Sequence, residues 1–441
     1  MVKKQSSLDI EAAKVIRNGK VYKFPKIELI IHTDTDDILL DQVPVLHYTR
    51  NFNQNLTDII MIEFMMGYGT FRDKLFEKKD NLEISITFFK EDHTVVTDRY
   101  KLIIISEFKD MNKTKQGQHD EKDLDTQEML HVKAQAVDPM FLTMKNIYVD
   151  GCYHDVKLDT LMKLLYVKGL KNKTVSGKPF TYNINIYKLD NDVKYRNVLI
   201  KPFTKLAKLP MVLQNEIYGL YFGGIGTYFT ALGNDKERDY DFEIYPLFDY
   251  DRYDNENDRP RLYIINPGRD HMDKNEYDLY YDNGVYKMIV NDIDFKDSTS
   301  KDRFKEGTGI IKVDSSMNTD YSNMTITDVD ITMSSKDLIT IERFDTTLTN
   351  YDMLVNTLQD DNKYRYYSNL YKTQGVMAII KLGKVNPEHF YPGMPFKYAF
   401  MKDKEVIETT GIIQNVDYIY DLINKTVMVT IGVTVKRIGG K

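Results

Sequence analysis

From residue 26 to residue 140, apolar and polar positions alternate in short runs, the pattern of half-buried β-strands. In "NLEISITF", Leu82, Ile84, Ile86 and Phe88 share one face, while Glu83, Ser85 and Thr87 point the other way. The same alternation recurs in "KIELIIHTD", "DQVPVLHYTRNF", "TDIIMIEFMMG", "RYKLIIISEF" and "EMLHVKAQAV". Six strands at this spacing predict a small antiparallel barrel or sandwich over 21–140. A polar loop, 110–127, precedes the last of them, and residues 1–20 read as a mobile or lightly docked arm.

The period then changes. "DVKLDTLMKLLYVKG" places Leu161, Leu164 and Leu165 at helical spacing, with Asp159 as expected N-cap and Gly169 as expected stop. A second helix is predicted in "KLPMVLQNEIYG", with Pro210 in its first turn and Gly219 at its end. Together they predict a small α+β domain over 141–233. Residues 234–258 hold ten acids against three bases, and 234–370 read as a peripheral or inserted, acidic, β-rich domain. Within it "NYDMLVNTLQDDN" predicts a short helix, capped by Asn350, with Leu354 and Leu358 facing a core.

From residue 371 to 441 the chain reads as the closing strands of a second β-barrel. Pro392-Gly393 suits the centre of a type II turn, Pro fixing φ and Gly supplying a positive one. Phe396, Tyr398 and Phe400 share a face after it. Val427, Val429, Ile431, Val433 and Val435 form one apolar face of the last strand. The expected core of this region is Phe396, Tyr398, Phe400, Val427, Val429 and Ile431. An internal echo links the two ends: "ITFFKEDHTVVTDRYKLII" (86–104) and "YAFMKDKEVIETTGII" (398–413) run in parallel, Phe88 matching Phe400 and Lys90 matching Lys402. Two unrelated hairpins could look this similar; a duplicated barrel is the alternative. The fold expected is therefore mainly β with α+β insertions, built on two small antiparallel, tail-tube-like β-barrels near the chain ends.

Composition narrows the function classes. With 441 residues, 42% of them hydrophobic, the chain can bury real cores, and length predicts about three domains. A net charge of -6 argues against a nucleic-acid ligand but not against a channel that DNA merely passes through. The single cysteine, Cys152, excludes an intrachain disulfide framework and fits a reducing compartment. The N-terminal residues show no signal-peptide pattern, and "DIIMIEFMMGYG" is too short to span a bilayer, so a soluble protein is expected.

Chemical signals are thin. "GGIGTYFTALG" has Gly224 and Gly226 but Phe229 where the dinucleotide fingerprint needs its third glycine, so a turn is the reading. Cys152 and His154 could face one another on a strand, yet no second metal-ligating pair and no orienting group accompany them. Asp249, Asp251 and Asp254 lack the glycine and the glutamate of a calcium loop and read as a solvated acidic loop. "NKYRYYSNLY" (362–371) suits a protein interface better than single-strand stacking. No catalytic, cofactor-binding or metal residues are expected, and no enzyme activity.

Three stretches together resemble the baseplate hub protein of contractile-tailed, T4-type bacteriophages. They are "IELIIHTD…LDQVPVLHYTRNF…DIIMIEF", "VKAQAVDP" leading into a helical region, and "FYPGMPFKYAF…GIIQNVDYIYDLINKTVMVTIGV". The likeness covers about the first 140 and the last 70 residues, resting on order and pattern, not on a diagnostic motif. It implies two similar barrels per chain and a homotrimer forming a ring that adapts a sixfold tail tube to a threefold central spike. Implied partners are the chain itself, the tail tube protein and the central spike protein, with tape measure and baseplate wedge proteins as further candidates and DNA only in transit. The implied location is the virion, assembled in the host cytoplasm, without membrane insertion. Two alternatives stay open: another virion binding module, receptor-binding or wedge, and a cell-wall glycan hydrolase, for which the sequence offers no preferred carboxylate pair.

Overall fold

The computed structural model describes residues 7–19, 22–40, 43–51, 58–109, 129–175, 179–214, 219–221, 224–232, 238–255, 259–267, 279–290, 293–295, 310–314, 352–356, 376–383, 385–402 and 405–436. The first described element is helix α1 (Ser7–Asn18). Leu8, Ala12 and Val15 recur at helical spacing and pack against Ile265, Ile289 and Ala399. Lys287 Nζ, 3.1 Å from Glu11, pins the polar side of the same helix.

All six strands expected over 26–140 are present. They are β1 (Lys26–His32), β3 (Val45–Asn51), β4 (Ile59–Gly67), β5 (Glu83–Phe89), β6 (Val95–Lys109) and β7 (Met129–Val137), with the short β2 (Asp37–Leu39) added. The turn α2 (Tyr68–Thr70) follows β4. Spatial order is β2-β1-β5-β6-β7-β4-β3, antiparallel throughout. Alternation is clean where one face is buried: in β4 every second residue, from Ile60 to Met66, lies in the core.

The middle of the chain forms a unit with its own apolar cluster. It holds α3 (Pro139–Lys145), β8 (Tyr148–Lys157), α4 (Leu158–Leu170), β9 (Phe180–Ile186), β10 (Lys194–Lys205), α5 (Leu209–Val212), β11 (Ile225–Leu232) and β12 (Arg238–Pro246). β8 and β10 form a two-stranded ribbon; β11, β12 and β9 form a three-stranded sheet in that order. Asp159 is not the N-cap of α4: Lys157 holds that position, and the Asp159 carboxylate accepts instead from the Thr160 amide. Gly169 does not stop the helix but lies inside it, where a Cβ would meet Leu206 at 2.9 Å. Within the acidic tract, β12 is the central strand of the three-stranded sheet.

The turn α6 (Arg252–Asn255) leads to β13 (Arg261–Asn266), β14 (Tyr280–Asp282), β15 (Val285–Ile289) and β16 (Asp294–Phe295). β17 (Ile310–Asp314) and β18 (Asp352–Asn356) pair with each other. The helix expected over 350–362 is thus a strand at 352–356; the rest of that stretch lies outside the described residues, as do 110–127 and 362–371. β19 (Val376–Gly383), β20 (Pro395–Lys402), β21 (Glu405–Asp421) and β22 (Thr426–Val435) close the chain. β13 pairs in parallel with both β15 and β20, so the sheet holding the closing strands is mixed where an antiparallel barrel was expected; β9 also pairs in parallel with β12. Alternation fixes which face is buried but not strand direction, which is why sequence missed this.

One connectivity occurs twice. The paths β4-β7-β6-β5 and β19-β22-β21-β20 each use four consecutive strands, all antiparallel. In each, the hairpin sets a phenylalanine opposite the second residue of an apolar pair: Phe88 faces Val96, and Phe400 faces Ile407. In each, the second hairpin strand is long, pairs with two strands of its own path and carries one bulge, between Ile104 and Ser106 or between Ile413 and Asn415. The echo in the sequence is therefore an echo in topology.

The two β lobes are joined edge to edge. β3 pairs with β21 from Asn51 opposite Asn415 to Val45 opposite Asp421. They also share one core, which runs without a break from Leu29 through Ile62 and Val132 to Phe396 and Ile431. Among the described residues no pairing closes either lobe into a barrel: the strand paths end at β2, β14 and β16.

Candidate functional site: the joint between the lobes

The seam is built from aromatic residues. Tyr48 on β3 stands directly opposite Tyr418 on β21, and their rings stack at 4.6 Å with planes 10° apart. Tyr420 meets Tyr48 edge-on at 6.0 Å. Burial pushes the hydroxyls of Tyr48, Tyr418 and Tyr420 well above the ordinary tyrosine range, so all three are neutral. The Tyr48 hydroxyl has no hydrogen-bond partner among the described residues.

At one end of the seam Arg50 ties three parts of the molecule together. Its Nε donates to Asp58 at 3.0 Å, its Nη1 donates to the Phe390 carbonyl at 2.9 Å, and its guanidinium lies 5.0 Å from the Tyr418 ring. Tyr228, on β11 of the α+β unit, donates from its hydroxyl to the other Asp58 oxygen at 2.9 Å. Arg50 and Asp58 are both largely shielded, at 14% and 15% side-chain exposure. A shielded ion pair survives when its remaining donors and lone pairs are satisfied, as they are here.

A second node involves the acidic tract. Pro392-Gly393 forms the expected turn: Gly393 has φ +87°, and the Met394 amide donates to the Tyr391 carbonyl at 3.2 Å. Gly393 is needed for a further reason. A Cβ there would meet the Tyr245 ring at 2.4 Å, and one on Gly226 would meet the same ring at 2.2 Å. Tyr245 of β12 is therefore clasped between two glycines, one from each side of the joint. Arg252, almost wholly buried, lies 4.3 Å from the Tyr187 ring and 5.2 Å from the Tyr245 ring, and its Nη1 donates to the Gly393 carbonyl at 3.1 Å. Gly226 of "GGIG" thus serves close packing against Tyr245.

The acids of 249–254 serve the same joint. Lys436 reaches Asp251 at 3.1 Å and Lys397 reaches Asp254 at 3.0 Å, so both tie the tract to the closing strands. Burial raises the pKa of Asp249, whose Oδ1 accepts from the Asp251 amide. Cys152 is exposed, and the His154 ring engages Asn197 at 2.6 Å on the same ribbon. Among the described residues no group of three His, Cys, Asp or Glu could hold a metal ion. Phe396, Tyr398, Val427, Val429 and Ile431 are buried in the shared core, and Phe400 packs against it half-buried. Sequence reasoning missed Arg50, Asp58, Tyr245 and Arg252. A basic residue inside a tract of ten acids, as Arg252 is, was the available signal.

A shallow polar cleft of about 390 Å³ opens beside the seam, edged by Tyr22, Lys23, Lys90, Glu91 and Glu388. Lys90 pairs across the lobes with Glu388 at 2.7 Å, and Lys23 pairs with Glu91 within the first lobe. No described helix is long and apolar enough to cross a membrane.

No family model and no curated protein matches the sequence. Among solved structures, the chain is similar to a tail protein from Neisseria meningitidis MC58, at 10% identity and TM-score 0.45, covering 92% of this chain and 96% of that one. It is similar to the 43 kDa tail protein of prophage MuSo2 from Shewanella oneidensis, at 9% identity and TM-score 0.46, covering 92% and 97%. A third similar structure is the prophage tail protein gp18 from Listeria monocytogenes EGD-e, at 9% identity and TM-score 0.38, covering 92% and 94%.

Proposed function

We propose that the chain is a structural component of a phage-type tail baseplate: a hub whose three copies close into a ring of six like lobes. The observation that carries this reading is the repeated path, β4-β7-β6-β5 and β19-β22-β21-β20, set side by side in one sheet. A chain that holds two like lobes can present sixfold pseudo-symmetry on one side and true threefold symmetry on the other. Such a ring joins a sixfold tube to a threefold spike and leaves a bore for DNA. A permanent ring needs more than about 2,000 Å² buried per pair of copies. The unbroken core suits a part that transmits load, because a close-packed interior deforms little. The reading assigns no catalysis and no cofactor; its partners are further copies, a tube protein and a spike protein.

The test is a native mass measurement of the purified protein with low-resolution imaging. A threefold annulus is the expected result. A compact monomer at micromolar concentration would refute the ring and favour a binding module elsewhere on a virion.

A further inference from the structure

The strand edges exposed by this fold are protected in unequal measure. β2 and β14 have three residues each and β16 has two, too short to template a partner. β10 carries Lys194, Arg196, Lys201 and Lys205 and is broken by a bulge between Ile200 and Thr204. β11 is buried along its described side chains. β9 has none of these devices. Its sequence, FTYNINI, contains no charge, proline or glycine, and among the described residues it pairs, in regular register, with β12 alone.

Two further observations point to what would lie beside it. On one face, Phe180, Tyr182, Ile184 and Ile186 pack against the α+β core but are only half-buried. An added strand would finish covering them with apolar residues at every second position. On the other face, Asn183 donates to Asp241 at 2.9 Å, Asn185 donates to Glu243 at 2.8 Å, and Thr181 donates to Asp239. Glu243 also pairs with Arg259. Asp239 and Asp241 have no basic partner among the described residues, so an acidic row at strand spacing lies one strand in from the open edge.

We propose that Phe180–Ile186 is a docking edge that accepts an extended segment of another protein as a fourth strand, with apolar and basic side chains alternating along it. Backbone hydrogen bonds along the edge supply attachment. The alternation sets the register, apolar residues over Tyr182 and Ile184 and basic ones over the Asp239–Asp241 row. This inference does not depend on the ring.

The test uses the full chain and synthetic peptides matched to β9 in length. One alternates valine and lysine, a second replaces lysine by glutamate, and a third keeps the lysines but has alternate amides N-methylated. The lysine peptide is expected to slow amide hydrogen exchange at 180–186, with binding that weakens as salt rises. The other two are expected not to bind. Asp239→Asn with Asp241→Asn should weaken binding about fivefold at low salt and leave the melting temperature unchanged, the size expected for two exposed charge pairs. Three results would each overturn the proposal: binding of the N-methylated peptide as tightly as the first, protection appearing at β8 or β10 instead, or concentration-dependent protection of β9 without peptide, which would assign the edge to a second copy.

Discussion

Two single residues carry costs that substitution can test. Tyr48 buries a hydroxyl with no partner, held there by its ring stack with Tyr418. A buried polar atom without a partner costs more than it returns. Tyr48→Phe should therefore leave the fold as stable as before or up to about 1 kcal/mol more stable, measured by urea unfolding. Phe203 is the other. It holds φ +63° at the β10 bulge while its ring is 80% exposed, touching Tyr148 edge-on at 6.2 Å. A left-handed backbone is costly for a residue with a Cβ, and glycine relieves that cost at some price in chain entropy. Phe203→Gly should raise stability by about 1 kcal/mol, read as a higher denaturation midpoint; an unchanged or lower midpoint would show that the bulge is not strained.

At the scale of elements, strands were legible and their neighbours were not. Period-two alternation exposed β1 and β3 to β7, because each buries one face only. Direction and pairing escaped it, since β13 and β9 look alike in sequence whether their partners run parallel or antiparallel. The type II turn at Pro392-Gly393 was readable because its backbone demand is local. That Gly393 also makes room for Tyr245 was not, because the ring arrives from residues far away in the chain. Helix α1 was missed for a related reason: its short apolar stripe becomes informative only once β13, β15 and β20 provide a surface. Its docking should depend on acid. Lys14 and then Lys287 hold the Glu11 carboxyl below its usual value of 4.5, against the opposing effect of burial. A lowered folded pKa stabilises above the unfolded value and is lost as pH falls through the folded one. Amide exchange in α1 should therefore accelerate relative to β21 as pH drops below about 4.5, and Glu11→Gln should abolish that pH dependence.

For the whole molecule, the joint decides whether the lobes act as one body. Arg50 is the residue on which β3, the 387–390 loop and, through Asp58, the α+β unit converge. Arg50→Ala would leave Asp58 shielded with only the Tyr228 hydroxyl as a neighbour and should destabilise the chain by about 3 kcal/mol. Because both lobes share one core, unfolding should stay a single transition by calorimetry and by tyrosine absorbance. Two separated transitions would show that the lobes are energetically independent.

The amino-acid order by itself determined the six strands over 26–140, the tight turn and the paired echo near the two ends. Each of these is a local matter, fixed by period, backbone preference or motif spacing within a short window. Only the tertiary structure decided that the echo is one repeated path, that β3 and β21 fuse its two copies, and that an acidic tract becomes an interior strand. Those outcomes depend on contacts between residues more than a hundred positions apart, such as Arg50 with Phe390 or Tyr245 with Gly393. Local periodicity records which face of a strand is apolar, but not which distant surface will cover it.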